Sequence, residues 1–275
     1  MLVKYDLDDK GTGHVFKRNH LHAYEWSDYQ KIEISDLDIL GRVLALDDII
    51  QLSELDCDRY HETFAHIPMS CAIQPQRVLI LGGGDGILAK ELLKYPDLKV
   101  DMVDIDEKVC RLSDEFLKDL NGSAFANERL DLFHTDALEF CINLAALSSG
   151  HKYDVIYADI TDPHPDSPSR SLLSSQAIAV YKSVLAPGGI LVAQTDNVQI
   201  APQHKSNITE EFSKNFSNVG DFAIVALTLS SLFSFVWASD EVVVRPKAPS
   251  VQTNWLTLER SNFCFELLDL ALGEK

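Results

Sequence analysis

The chain has 275 residues, 46% of them hydrophobic and 24% charged, and a formal net charge of -18. That length suits one large α/β domain with a smaller appendage, whose core needs neither a disulfide nor a metal. So acidic a molecule repels nucleic acid and anionic membranes and attracts small polycations, and no apolar run approaches the roughly 20 residues of a membrane span.

The five cysteines form no CxxC pair and are odd in number, which favours a reducing compartment. Met1 to His22 is charged throughout, unlike a secretory signal. A cytoplasmic location is expected. From His14 to Leu52 short runs alternate and break as strands do: Lys31 to Ile34, then Gly41 to Leu46, with Asp47-Asp48 as a turn before Ile49-Ile50-Gln51. These runs predict a small N-terminal antiparallel β domain over 1–54, ahead of a catalytic domain over 55–275. From Asp56 to Cys71 the period becomes helical, with Tyr60, Phe64 and Ile67 on one side, and Pro68 and Pro75 are expected to close the segment.

Next comes the stretch that organises the chain, Arg77 to Leu93. Val78 to Leu81 read as a strand buried on both faces, Gly82 to Gly86 turn the backbone, and Ile87, Leu88, Leu92 and Leu93 recur at helical spacing. Glycines allow such a turn to close on a nucleoside, although a plain strand-to-helix turn would use them too. Asp85 is the unusual member. Amides at a helix N-terminus favour an anion. A carboxylate inside the turn repels a pyrophosphate or an amino-acid carboxylate and suits an ammonium.

The second strand, Lys99 to Val103, ends in Asp104, about 20 residues after the turn, where a carboxylate can accept hydrogen bonds from ribose hydroxyls. A helix from Glu107 to Leu117 and a strand from Leu130 to His134 follow, the latter ending at Thr135-Asp136-Ala137. Asp136 can cap the next helix or hold an adenine amino group. A fourth strand, Tyr153 to Ala158, runs into Asp159-Ile-Thr-Asp162-Pro163, two carboxylates at the carboxyl edge of a parallel sheet, where open α/β folds place ligands. The polar segment from His164 to Arg170 reads as a gate. A helix from Leu173 to Leu185, a fifth strand from Ile190 to Ala193, a helix from Glu210 and two apolar runs, Phe222 to Leu229 and Leu232 to Ala238, complete the chain, the last pair as antiparallel edge strands. The alternation predicts an α/β fold with a doubly wound, mostly parallel sheet.

The segments Asp28-Tyr29-Gln30, Leu46 to Gln51, Tyr60-His61-Glu62, Gly82-Gly-Gly-Asp-Gly86, Val103-Asp-Ile-Asp106, Asp136-Ala137, Asp159-Ile-Thr-Asp-Pro163 and Val192 to Asn197 stand in an order and spacing that resembles the spermidine synthase family of polyamine aminopropyltransferases. The resemblance implies a Rossmann-like, methyltransferase-type catalytic domain and a homodimer or homotetramer. It implies transfer of the aminopropyl group of decarboxylated S-adenosylmethionine, a co-substrate rather than a tightly bound cofactor, to an amine such as putrescine. Spermidine and methylthioadenosine are then the products. Gln30, Asp104, Asp136, Ala137 and Pro168 would hold the nucleoside part, and His61 and Asp85 would face the aminopropyl arm. Gln51, Tyr60, Asp159 and Asp162 would border the acceptor, with Asp159 as its base and no metal involved.

The sequence also departs from that family. Its tyrosine-proline-serine-glycine segment reads Thr228-Leu-Ser-Ser231 here, so an aromatic wall beside the acceptor is expected to be missing. The loop from His164 to Ser169 is longer, and Ile87 and Ala137 stand where the family has glycine. Two other functions fit the same fold: an S-adenosylmethionine-dependent methyltransferase, disfavoured by Asp85, and a non-catalytic paralogue that binds polyamine or nucleoside. Retention of Asp85, Asp159 and Asp162 argues against the paralogue; the altered acceptor segment argues for it.

Overall fold

The computed structural model describes residues 1–6, 13–147, 152–160, 171–226, 228 and 231–273. Five strands, β1 (Leu2–Asp6), β2 (Gly13–Trp26), β3 (Lys31–Leu37), β4 (Gly41–Leu46) and β5 (Ile49–Ser53), close into a barrel. Pairing is antiparallel except at closure, where β1 runs parallel to β5 with Asp6 opposite Ile49. That one contact corrects the expectation of a purely antiparallel domain. It also removes the sheet edges that an open β unit would have to protect. Leu37, Val43, Ala45 and Ile50 fill the interior beside Tyr5, and the buried Glu33 among them is met by Arg18 at 2.9 Å and the Ser35 hydroxyl at 2.5 Å.

Helix α1 (Cys57–Cys71) leads out of the barrel. Pro68 does not close it, as expected from the sequence, but lies inside its last turn. So late in a helix the missing amide costs one bond, to the Phe64 carbonyl, and the chain turns extended only at Ala72.

The remainder alternates as predicted: β6 (Arg77–Gly82), α2 (Ile87–Leu92), β7 (Lys99–Val103), α3 (Glu107–Phe116), the single turn α4 (Lys118–Asn121), β8 (Leu130–Phe133), α5 (Ala137–Ala146), β9 (Tyr153–Asp159), α6 (Ser175–Ser183), β10 (Leu185–Asn197), α7 (Pro202–Asn215), β11 (Asn218–Ala226), β12 (Ser231–Ser239) and α8 (Leu258–Leu272). Several boundaries differ from the expected ones. Strand β10 begins at Leu185 rather than Ile190, absorbing the glycine pair through a shift in register with β9. Helix α7 begins at Pro202 rather than Glu210, with the proline at its first position, where its fixed φ fits and no amide is needed. Helix α8 was not anticipated at all.

The seven strands lie in the order β11-β12-β10-β9-β6-β7-β8. From β10 to β8 all pairs are parallel, and the β11–β12 hairpin joins β10 antiparallel. Helices cover both faces, which is why Val78, Leu79, Ile80 and Leu81 are all at most 1% exposed. Burying each such side chain is worth roughly 1.5–3 kcal/mol. One face packs Phe64, Leu88, Phe222 and Phe235; the other packs Ile156, Ile178, Tyr181 and Phe212. A third cluster joins barrel residues Ile32, Leu44 and Leu52 to Ile87 of α2 and Leu112 of α3, so the barrel sits over the carboxyl edge of the sheet. Among the described residues no helix is long and apolar enough to cross a membrane.

Candidate active site

The carboxyl ends of β6, β7, β9 and β10 and the rim of the barrel enclose a cavity of about 420 Å³. Its backbone foundation is the glycine turn. Gly82 has φ +85°, and a Cβ there would lie 2.1 Å from the Asp159 carbonyl oxygen, so only glycine lets β6 approach the end of β9. The Gly83 amide then donates to that same carbonyl at 3.0 Å. At Gly84 a Cβ would come within 2.7 Å of the Asp104 carboxylate. The turn is therefore open to ligand because side chains are excluded from it.

Gln30, Asp104, Asp136 and Ala137 line one end of the cavity. Gln30 donates to the Asp106 carboxylate at 3.0 Å, which fixes the barrel rim to the start of α3. Asp104 accepts the Asp106 amide at 2.8 Å. Burial, reinforced by the charge of Asp106 and opposed by that hydrogen bond, pushes its carboxyl up to about 6. Asp136 caps α5 by accepting from the Glu139 amide at 2.8 Å and faces the cavity as well.

His61, Asp85 and Asp159 stand at the centre, with side-chain atoms that all lie within 4.8 Å of one another. His61 is 2% exposed. Its Nδ1 lies 2.8 Å from the Cys57 carbonyl oxygen, and Nε2 lies 3.7 Å from Asp85 Oδ2. The other oxygen of Asp85 accepts the Ile87 amide at 2.7 Å. Burial alone would depress the imidazole, yet the hydrogen bond and charge of Asp85, with Asp159 behind, raise it above its ordinary value. For Asp159, burial and then the charge of Asp85 push the carboxyl up to about 7, with His61 and the Tyr60 hydroxyl acting in the opposite direction.

Tyr60 and Gln51 line the other end, with Tyr60 Oη donating to Asp159 Oδ1 at 3.4 Å. The structure thus brings nine of the proposed site residues to one cavity. Asp162 and Pro168, like the gate from His164 to Arg170, lie outside the described residues. Thr228 does not stand open in place of an aromatic ring: its amide and hydroxyl both donate to the buried Asp56, at 2.9 and 2.5 Å, and it also bonds Ser53.

Leu229 and Ser230 of the altered segment lie outside the described residues, but β12 brings an aromatic side chain to the cavity from another position. Phe233 lines the cavity and sits edge-on to Tyr60, centroids 5.6 Å apart. Alternation in β12 puts Phe233, Phe235 and Trp237 on one face, a signal readable in the sequence, but the reach of that face depends on where the hairpin docks. Asp196 was also missed as a lining residue. It holds φ at +92°, a strained value for a side chain other than glycine, and its carboxylate contacts His204 Nδ1 at 3.0 Å. Among the described residues the lining includes seven aspartates and neither lysine nor arginine. Such a cavity accepts cations and excludes phosphates and carboxylates.

Residues 57–247 match the family model for the spermine/spermidine synthase domain. A polyamine aminopropyltransferase of Pyrobaculum calidifontis is 33% identical over 257 residues, covering 90% of this chain and 88% of the relative. Polyamine aminopropyltransferase 1 of Hyperthermus butylicus is 36% identical over 216 residues, 78% of this chain and 73% of its own. Among solved structures, a spermidine synthase in complex with the transition-state analogue AdoDATO superposes with a TM-score of 0.89 at 24% identity, over 99% of this chain and 95% of that one. The spermidine synthase of Thermotoga maritima gives 0.86 at 24%, over 99% and 94%. At that identity the structural matches speak to the fold.

Proposed function

The chain belongs to the spermine/spermidine synthase family, and from that premise we propose that it transfers the aminopropyl group of decarboxylated S-adenosylmethionine to an amine such as putrescine. The observation that carries the reading is a nucleoside-sized cavity lined, among the described residues, by seven aspartates and neither lysine nor arginine, with Asp85 inside the glycine turn. Both substrates are cations, and decarboxylation removes the one group that Asp85 would repel. An ordinary S-adenosylmethionine carries that carboxylate, which disfavours methyl transfer.

The acceptor amine has an unperturbed pKa near 10 and arrives protonated at neutral pH. Asp159 takes its proton, directly or through water. Tyr60 steadies that carboxylate, and with Phe233 it offers ring faces to the methylenes and ammonium of the acceptor. The freed nitrogen attacks the methylene beside the sulfonium. The carbon–nitrogen bond forms as the carbon–sulfur bond breaks, its electron pair passing to sulfur, which leaves as methylthioadenosine. Alignment of nucleophile and leaving group is the main demand, since the sulfonium is already activated. Gln30, Asp104, Asp136 and Ala137 hold the nucleoside, while Pro168, Gln51 and Asp162 complete the two ends. We place this chemistry in a cytoplasmic homodimer or homotetramer, on the strength of the family and of cysteines that are free and buried.

Incubating the protein with decarboxylated S-adenosylmethionine and putrescine, cadaverine, agmatine or spermidine in turn, and measuring methylthioadenosine, tests the reading. Turnover with at least one amine is expected, and none with S-adenosylmethionine. Tight donor binding with no turnover on any amine would point to the non-catalytic paralogue.

A further inference from the structure

The centre of the cavity contains one acceptor atom too many. His61 Nδ1 faces the Cys57 carbonyl at 2.8 Å, and a carbonyl can only accept, so Nδ1 carries a hydrogen in either charge state. A neutral His61 would then aim the bare lone pair of Nε2 at Asp85 Oδ2, 3.7 Å away, with Asp159 inside the same cluster. Two carboxylates and a lone pair in one enclosed space repel one another, and among the described residues the cavity lining has no lysine or arginine to relieve them.

We propose that the ligand-free site keeps a resident proton on His61, shared with Asp85 and Asp159, and that the ammonium of the donor's aminopropyl arm displaces it. This rests on the aminopropyl-transfer reading and adds to it a time at which the reaction's proton leaves. The ammonium brings its own charge and N–H donors to Asp85, so a second positive charge beside it is expelled. His61 becomes neutral and Asp159 is left ionised. The base is thereby freed of the shared proton only when a donor is present, and an acceptor entering an empty site meets a carboxylate whose charge that proton already offsets.

The cycle balances. One proton leaves with donor entry. The acceptor ammonium then returns one to Asp159, its nitrogen displaces the thioether, and the positive charge of the sulfonium reappears on the new secondary ammonium. When products leave, the proton on Asp159 is again the resident one.

The groups facing His61 agree with this. Helix α1 contributes Cys57 and the Tyr60 hydroxyl, the glycine turn Asp85, the end of β7 Asp104 and the end of β9 Asp159. From β10, Asp196 is already engaged by His204. The nearest lysine on the adjoining helix, Lys90, turns instead to Asp58 and Glu91 at 3.8 and 3.5 Å. The raised values of His61 and Asp159 have the sign that a shared proton requires.

A weakly buffered stopped-flow experiment with a pH indicator at pH 6.5–7 decides the matter. Mixing the wild-type protein with decarboxylated S-adenosylmethionine alone should release close to one proton per site, and mixing with methylthioadenosine, which lacks the arm, none. His61→Gln, which keeps hydrogen-bonding capacity but cannot carry the charge, should lose most of that release. Donor affinity should rise up to about tenfold per pH unit below the cluster's titration and flatten above it. Protons that appear only after an amine is added would overturn the proposal, as would equal release by methylthioadenosine. Neither result would touch aminopropyl transfer itself, which stands or falls on methylthioadenosine formation with the amine panel.

Discussion

Helix α1 carries acidic neighbourhoods on two sides, and they are built in opposite ways. Toward the cavity, His61 stands against Asp85 and Asp159 with no lysine or arginine in the lining among the described residues. Away from it, Glu91 receives His66 at 2.9 Å and Lys94 at 2.5 Å. Glu62 accepts the amides of Asn254, Trp255 and Leu256 at 2.6, 2.7 and 2.8 Å. Burial opposes ionisation in both places. Around Glu91 the hydrogen bonds and charge of His66 and Lys94 prevail and hold the carboxyl down at about 2, whereas Asp159 is pushed up to about 7. Burial alone therefore does not mark a functional carboxylate. What marks it is burial left uncompensated, ready for a cation that arrives with the substrate.

Mutations should separate the two sides. The largest effect is expected for Asp159→Asn, which keeps shape but loses basicity: the chemical step in rapid-quench single turnovers should slow by roughly 10²- to 10⁴-fold. The same change relieves like-charge repulsion with Asp85, so the variant should be more stable than wild type at pH 8, by about 1 kcal/mol in denaturant melts. Glu91→Ala should do the reverse. It strands the buried His66 in the interior, removes a carboxylate partner of the part-exposed Lys94, and should cost about 3–5 kcal/mol of stability, with the turnover of the folded fraction close to normal. A slow chemical step in Glu91→Ala, or a normal one in Asp159→Asn, would erase the distinction.

Smaller effects sharpen it. Asp85→Asn should weaken binding of the decarboxylated donor by about 10- to 100-fold in calorimetry while leaving S-adenosylmethionine less affected; equal loss for both would remove Asp85 from the choice between them. Asp104→Ala should weaken methylthioadenosine by about tenfold, since ribose contacts are common to donor and product. The pH dependence of stability should show both sides at once. His61 and Asp159 both have folded-state values above their unfolded ones, so their contribution is present at acid pH and lost as pH rises, for Asp159 through about 7. The melting temperature of the ligand-free protein should fall by about 2–4 °C between pH 6 and 8. Glu91, depressed, stabilises above its unfolded value and loses that contribution as pH falls toward 2.

The centre of the sheet and the donor end of the cavity were legible in the sequence because their signals are local. A buried parallel strand is a continuous apolar run, the turn needs glycines, and Asp104 follows at a spacing set by one strand-helix-strand unit. The rest depends on distant partners. Strand β1 is short and charged, and only its pairing with β2 and β5 makes it a strand. Asp56 occupies the N-cap position of α1 without capping it, because its carboxylate serves Thr228, 172 residues away. Phe233 becomes a cavity wall only through the docking of the β11–β12 hairpin against β10. The Pro202 start of α7 was readable from proline's place at a first helical turn. Glu62 stands beside His61 in sequence, yet nothing local shows that it turns away to hold residues 254–256.

The bonds from Asp56 to Thr228 and from Glu62 to Asn254, Trp255 and Leu256 also bear on how the chain is made. Both carboxylates emerge early in synthesis, on or beside the helix that delivers Tyr60 and His61, and both wait for partners in the last fifth of the sequence. Until those arrive, docking α1 would bury Glu62 without its three amide donors and leave Asp56 with only the Ser53 hydroxyl, a state costly enough to stay open. The barrel and the first strands can form on the emerging chain. The helix that completes the cavity docks last, so a truncated or still-tethered chain is expected to have the nucleoside end of its site without a working centre.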